Sequence, residues 1–410
     1  MTADIANLLS ELHRSLFGKM VAVLMYHTGI EELSVSEDIV QEAFAIAVDK
    51  WRDAVPEQPD AWLFATIRNL AYNHLKKEKR KQYPAVDQIA ADQLLTSDRD
   101  LLRVLFSCLQ PAYPPRVQLV VVLKYVCGLK TKHIAALLAS GEDTISKTLY
   151  RWRVEQSRSD FMVAESVGNP DEQKIRMALK VLYVMFTAGY QLSEKGTLTD
   201  EQLCEDTLSL LQEMMKMNIV ANGEVKALYA LLLYNLARAE SRTDQLDELT
   251  ALAGQDRRRW NREMIVVANH YLLLSQKESS VASAWQLEAA IAYKHMHAGR
   301  FQETDWQGIA SLYEKLVAFN SSPFTKIGQA AALYFGGNEA AAIEILSLLH
   351  ANRFFRNYHL LHCFWAKMHA DRNDTEHALA SYKKALSCPV NAFERRFIEK
   401  EIGILMRIKH

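Results

Sequence analysis

Apolar positions recur every three or four residues along most of the chain, the spacing of helices that bury one face. Ile5, Leu8, Leu9, Leu12 and Leu16 make one stripe. Ile39, Val40, Ala43, Phe44, Ala47 and Val48 make a second, with Ser36 placed as its N-cap. Two prolines and a polar run at residues 52–60 interrupt the pattern. A third helix starts near Asp60 and turns Trp62, Ala65, Ile67, Leu70 and Leu75 largely inward. Further on, Ile134, Leu137 and Leu138 belong to one short helix, and a turn lies around residues 139–141. Ile145, Leu149 and Trp152 then form the buried stripe of the next helix, which leaves Thr144, Lys147, Thr148 and Arg151 on its exposed face. The run from Val117 to Val126 is the main β-branched stretch; Lys124 within it and the helical pattern after it make it a helix. With only 15 Gly and 9 Pro in 410 residues and few other strand-like runs, the predicted fold class is all-α.

These patterns divide the chain into a helical unit at residues 1–82, a mixed linker at 83–98, a second unit at 99–160 and a long C-terminal part at 170–410. From about residue 170 alanine, leucine and tyrosine dominate, as in ALYALLLYNLARAESR. The segment from Phe364 to Pro389 resembles a tetratricopeptide repeat, a helix, a polar turn and A-L-x-x-Y-x-x-A-L before a proline, and Tyr334 to Leu349 is a weaker relative. A helical-repeat domain follows as the expectation.

Charge sharpens this picture. The formal net charge of −1 conceals an alternation along the N-terminal part. Residues 1–60 carry 11 acidic and 4 basic side chains, and residues 61–85 carry 6 basic and 1 acidic. Residues 116–153 carry 7 basic and 2 acidic. Two basic blocks separated by acidic ones are an electrostatic footprint for DNA, although either block alone is equally a solvated helix face. The five cysteines are odd in number and scattered, as in a protein kept reduced. No apolar stretch reaches the length that spans a bilayer, and the first residues lack the pattern of a signal peptide, so a cytoplasmic location and no membrane partner are expected.

The order of an acidic amphipathic helix, a helix ending in a basic run and a helix-turn-helix resembles extracytoplasmic-function sigma factors. The resemblance rests on DIVQEAF (Asp38 to Phe44), AWLFATIRNLAYNHLKK (Ala61 to Lys77) and GLKTKHIAALL with EDTISKTLYRWR (Gly128 to Arg153). It continues in ALKVLYVMFTAGY, QDRRRWNREMI, WQLEAAIAYKH and ETDWQGIASLYEKL, which look like the C-terminal extension of one large group of these factors. It therefore covers nearly the whole chain.

The resemblance implies two partners, core RNA polymerase and promoter DNA. Glu37, Asp38, Gln41 and Glu42 would dock on the polymerase as one polar ridge. Arg68, Asn69, Tyr72, Asn73, Lys76 and Lys77 would face the downstream promoter element, with the loop before them helping to hold an unstacked base. Packing explains Trp62 and Phe64 without that role. Thr144, Lys147, Thr148 and Arg151 would read the upstream element, and Lys130 and Lys132 would meet phosphates. The turn departs from the family pattern, with Ala139 where many members have glycine and the glycine at Gly141, which leaves the reading register open.

Signature motifs of nucleotide binding, metalloproteases and serine hydrolases are absent, so no enzyme activity, cofactor or metal is expected. His359 and Cys363 stand at metal-ligand spacing, but a repeat helix explains both. The C-terminal part is expected to bear a regulatory protein or ligand. The alternative function is a helix-turn-helix plus tetratricopeptide regulator that senses a peptide or small ligand.

Overall fold

The computed structural model describes residues 3–28, 30, 32–52, 54–77, 98–138, 140–156, 170–191, 201–217, 219, 221–244, 248–278, 281–352 and 355–408. Among these residues the regular elements are helical, apart from an isolated antiparallel bridge between Thr243 and Leu249. The expected linker falls outside them except for Asp98, as do Ala139 and residues 157–160. The chain divides into two compact units, Met1–Val225 and Lys226–His410.

In the first unit α1 (Ala3–His27), α2 (Leu33–Lys50) and α3 (Pro59–Lys77) pack on one another. Their core holds Phe17, Met20, Val21, Leu24, Val40, Ala43, Leu63, Ile67 and Trp51, all essentially sealed from water. Two details depart from the sequence pattern. Ser36 is not an N-cap. The helix begins a turn earlier, which buries Leu33, and Ser36 lies inside it, fully buried. Along α3 the deepest positions are Leu63, Ile67, Ala71 and Leu75, a strict i, i+4 row, while Trp62, Ala65 and Leu70 flank it half-buried. Trp62 packs edge-on against Trp51 with ring centroids 5.4 Å apart.

Next come α4 (Asp98–Cys108), α5 (Pro115–Tyr125), α6 (Thr131–Leu137) and α7 (Glu142–Gln156). Proline opens α5 at a position whose N–H would have no intrahelical acceptor, so its missing donor costs nothing. The β-branched run is a helix because Val120, Val121, Val122 and Leu123 are all fully enclosed, so no polar face is needed. The turn between α6 and α7 closes with Ser140 N–H donating to the Ala135 carbonyl at 2.8 Å. Gly141 keeps ordinary backbone angles; the left-handed glycine of this region is Gly128, at φ 62.

The unit continues past the change in residue texture near 170. The helices α8 (Glu172–Gln191) and α9 (Glu201–Lys216) form a pair whose apolar side lies on α1, α4 and α5. Leu203, Cys204, Leu210, Leu211 and Met214 of α9 are buried there. The division thus falls later than residue 170 because these faces have their complement in the preceding helices.

The break lies within α10 (Asn222–Ala237). The second unit runs through α11 (Arg262–Lys277), α12 (Ala284–His297), α13 (Trp306–Phe319), α14 (Pro323–Phe335), α15 (Glu339–Ala351), α16 (His359–Asp371), α17 (Thr375–Leu386) and α18 (Ala392–Ile408). Its cores overlap. Leu287, Ile291, Ile309, Leu316 and Ala332 join α12, α13 and α14. Ala330, Ala342, Leu346, Leu361 and Met368 join α14, α15 and α16. Ala366, Ala378, Tyr382 and Ile398 join α16, α17 and α18. Each set of helices shares one member with the next, the logic of a stacked helical array. Two hairpins use the same turn: a left-handed residue, Gly337 (φ 88) or Asn373 (φ 60), is followed at once by an N-cap, Asn338 or Asp374.

Candidate functional site

On α2 the predicted polar ridge splits. Asp38, Gln41 and Glu42 are exposed, on a face that alternates with the buried Ile39, Val40, Ala43 and Phe44. Glu37 is a correction to the predicted ridge: it is only 2% exposed and points inward. Its carboxylate takes Lys124 Nζ at 2.6 Å and Arg153 Nη2 at 2.5 Å, and Gln41 Nε2 donates to it at 2.9 Å. Arg153 also donates from Nε to the Tyr125 hydroxyl at 2.8 Å. Burial, against the opposing effect of Arg153, pushes the Tyr125 phenol up to about 12. A buried carboxylate survives because two cations and an amide replace its water shell.

The same helix bundle offers a polar face on α3. Asn69, Tyr72, Asn73, Lys76 and Lys77 are exposed, and Arg68 is half-buried. Tyr72 is 52% exposed, and its ring suits stacking or groove contact. The basic run at residues 78–81 lies outside the described residues.

The pair α6–α7 buries Ile134, Ile145, Leu149 and Trp152, which fixes the orientation of α7. Lys130, Lys132, Thr144, Lys147 and Arg151 are exposed, and Thr148 is half-buried with its hydroxyl donating to the Thr144 carbonyl at 2.8 Å. Tyr150, which the sequence pattern did not single out, is 69% exposed beside them. Its signal in the sequence was an aromatic residue off the buried stripe.

The motifs of the second unit mostly build structure. Arg257 of QDRRRW caps the end of α12, donating from Nη1 to the carbonyls of His295 at 2.7 Å and Ala298 at 2.6 Å. Trp260 Nε1 donates to Ser241 Oγ at 2.8 Å. In ETDW, Asp305 is the N-cap of α13 and pairs with Lys294. His359 faces Glu394 at 3.4 Å, and burial pushes the Cys363 thiol up to about 12, which works against a metal thiolate. Among the described residues, His369, Asp374 and His377 bring possible ligand atoms within 4.8 Å of one another. Asp374 caps α17 there and pairs with both imidazoles, which accounts for the cluster as charge-assisted capping.

Residues 18–81 match the family model of sigma-70 region 2. The chain contains a sigma-70 region 2 domain. This stretch covers the last part of α1, all of α2 and all of α3, so the exposed face of α2 and the basic face of α3 belong to it. Residues 174–276 match a family of unknown function, DUF6596, which gives the region 2 domain a helical extension of a recognised type. An uncharacterized protein of Rhizobium meliloti (strain 1021), R00370, is 26% identical over 401 residues, covering 94% of this chain and 93% of that protein. No solved structure matches the chain. A sigma-70 region 2 domain supports a role in transcription initiation, with core RNA polymerase and promoter DNA as the partners of such a domain. Among the described residues no helix is long and apolar enough to cross a membrane.

Proposed function

We propose that this protein is an extracytoplasmic-function-type sigma factor, active in the cytoplasm, whose helical extension regulates it and carries no catalysis. The observation that bears most weight is the region 2 match, which coincides with two exposed faces of suitable chemistry on adjacent helices. Asp38, Gln41 and Glu42 offer carboxylates and an amide to a basic polymerase surface. Asn69, Tyr72, Asn73, Lys76 and Lys77 offer cations for phosphates and groups for bases, with Arg68 beside them. In this reading α6–α7 is the second DNA reader, with Thr144, Lys147, Thr148 and Arg151 at base edges and Lys130 and Lys132 at phosphates. The stacked hairpins of the second unit, of tetratricopeptide type in this reading, would serve a protein or ligand.

The test is reconstituted transcription with purified core polymerase on a promoter library, alongside a core-binding assay. The wild-type chain binds core and initiates from a subset of promoters. The Asp38→Lys, Glu42→Lys double variant folds but binds core more weakly, since both side chains are exposed. A chain that binds DNA yet never engages core would instead be a ligand-sensing helix-turn-helix regulator.

A further inference from the structure

We propose that the first unit is a self-closed form, in which the α4–α7 module occupies part of the polymerase-docking helix and the α8–α9 hairpin straps it in place. This rests on the sigma-factor reading above. In that reading core polymerase binds after the α4–α7 module has swung away from α2.

Three independent features meet at this seam. First, the acidic residue that the family resemblance assigns to a basic partner already has basic partners from its own chain. Lys124 and Arg153 close on Glu37 at 2.6 and 2.5 Å, and Glu37 is 2% exposed, while its neighbours Asp38, Gln41 and Glu42 remain open to solvent. Lys124 and Arg153 thus hold the carboxylate that the resemblance offers to an external basic surface. Arg153 sits in the last turn of α7, so the same contact ties down the reader helix.

Second, backbone meets backbone. A Cβ on Gly18 of α1 would overlap the Val126 carbonyl oxygen, just past the end of α5. From the other side, a Cβ on the left-handed Gly128 would come within 2.9 Å of the Phe17 side chain. Glycine on both faces permits an approach that any other residue would prevent. Third, α9 lies against both α1 and α4 and adds an ion pair, Lys19 Nζ to Asp206 Oδ1 at 3.3 Å. The hairpin belongs to the extension, since the DUF6596 match begins at residue 174. A segment that touches both modules stabilises their closed arrangement and no other.

The experiment uses the full chain with spin labels at the exposed positions Asp49 and Tyr150, and reads the distance between them together with affinity for purified core polymerase. Gly18→Ala is the main variant. It favours helix in α1 while wedging the seam open, and it leaves Glu37 and both cations intact. Lys124→Gln with Arg153→Gln is the second. If the open form is about one tenth of the wild-type population, either variant lengthens the distance and raises core affinity about tenfold. Saturating core lengthens the same distance in the wild type. The proposal is overturned if neither variant changes the distance, if the distance lengthens without a gain in affinity, or if core binds the wild type without lengthening it. Failure of the wild type and both variants alike to bind core overturns the sigma-factor reading, and this proposal with it.

Discussion

A carboxylate withdrawn from water must find its charge balanced nearby, and Glu37 finds it in Lys124 and Arg153. Lys124 is itself only 15% exposed at its side chain, so the pair is sealed on both sides. Taking one partner from a buried pair leaves the other stranded, at a cost of about 3–5 kcal/mol. Glu37 keeps Arg153 and Gln41 when Lys124 is lost, so Lys124→Met should destabilise the first unit by less than that in urea unfolding; Lys124→Met with Arg153→Met, which strands the carboxylate, should approach it, and adding Glu37→Leu should then restore part of the loss. Asn373 makes the opposite kind of case, a cost held in the backbone. Its φ of 60 lies in the left-handed region, where a β-branched side chain costs about 1–2 kcal/mol. Asn373→Val should lower stability by that amount while Asn373→Gly leaves it nearly unchanged, as thermal melts would show. The polar turn that holds Asn373 was legible locally, but the environment of Glu37 was not. The sequence shows Glu37 as one of four polar residues on a ridge, and its decisive partner Arg153 lies 116 residues further on.

At the scale of helices, periodicity carried most of the information. The buried stripe of Ile145, Leu149 and Trp152 and the exposed Thr144, Lys147 and Arg151 were legible because α7 is amphipathic and packs on one side only. The start of α2 was not. A serine before an apolar run imitates an N-cap, and only the burial of Leu33 reveals the extra turn. For α7 the proposed role predicts that Arg151→Ala costs about 1–3 kcal/mol in promoter binding if it contacts a base bidentately. The loss then concentrates at one upstream position in a binding-site selection, whereas an equal loss on every sequence would make Arg151 a phosphate contact. For α12 the prediction concerns pH. Burial raises the Glu288 carboxyl to about 7, so its contribution to stability is full below about 4.5 and is lost as pH rises through 7. Burial, with Arg238 and Arg257, lowers His295 to about 4, so its neutral form supports stability above about 6.5 and loses that support as pH falls towards 4. The two slopes oppose each other between roughly pH 4.5 and 6.5. Glu288→Gln should leave a second unit that gains stability with rising pH across that window, and His295→Gln one that loses it. Unfolding midpoints measured from pH 4.5 to 8 separate the two; profiles that stay flat in both variants would mean the burial is not maintained in solution.

For the whole molecule, the question is what the extension does to the two modules before it. The change of residue texture near 170 is real, yet the compact first unit runs to Val225 because α8 and α9 find their apolar complement on α1, α4 and α5. Composition reports what a segment is made of and not which surface will cover it, so the boundary drawn from texture lies close to where the DUF6596 match begins and yet inside the first compact unit. The consequence can be tested with two truncations. A chain ending at Ala221 keeps α8, α9 and the Lys19–Asp206 pair, whereas one ending at Asp160 loses all three. The shorter chain leaves α4 and α5 without the hairpin that covers them, so it should be the less stable to urea and the less soluble without detergent. It should also bind core polymerase more tightly than the Ala221 chain, because the strap that favours closure has gone while Glu37, Asp38, Gln41 and Glu42 remain. The full chain and the Ala221 chain should bind core alike in this assay, which isolates the hairpin from the stacked helices of the second unit. If the full chain alone binds weakly and the Ala221 chain binds as tightly as the Asp160 chain, restraint comes from the second unit and the hairpin is only a packing element.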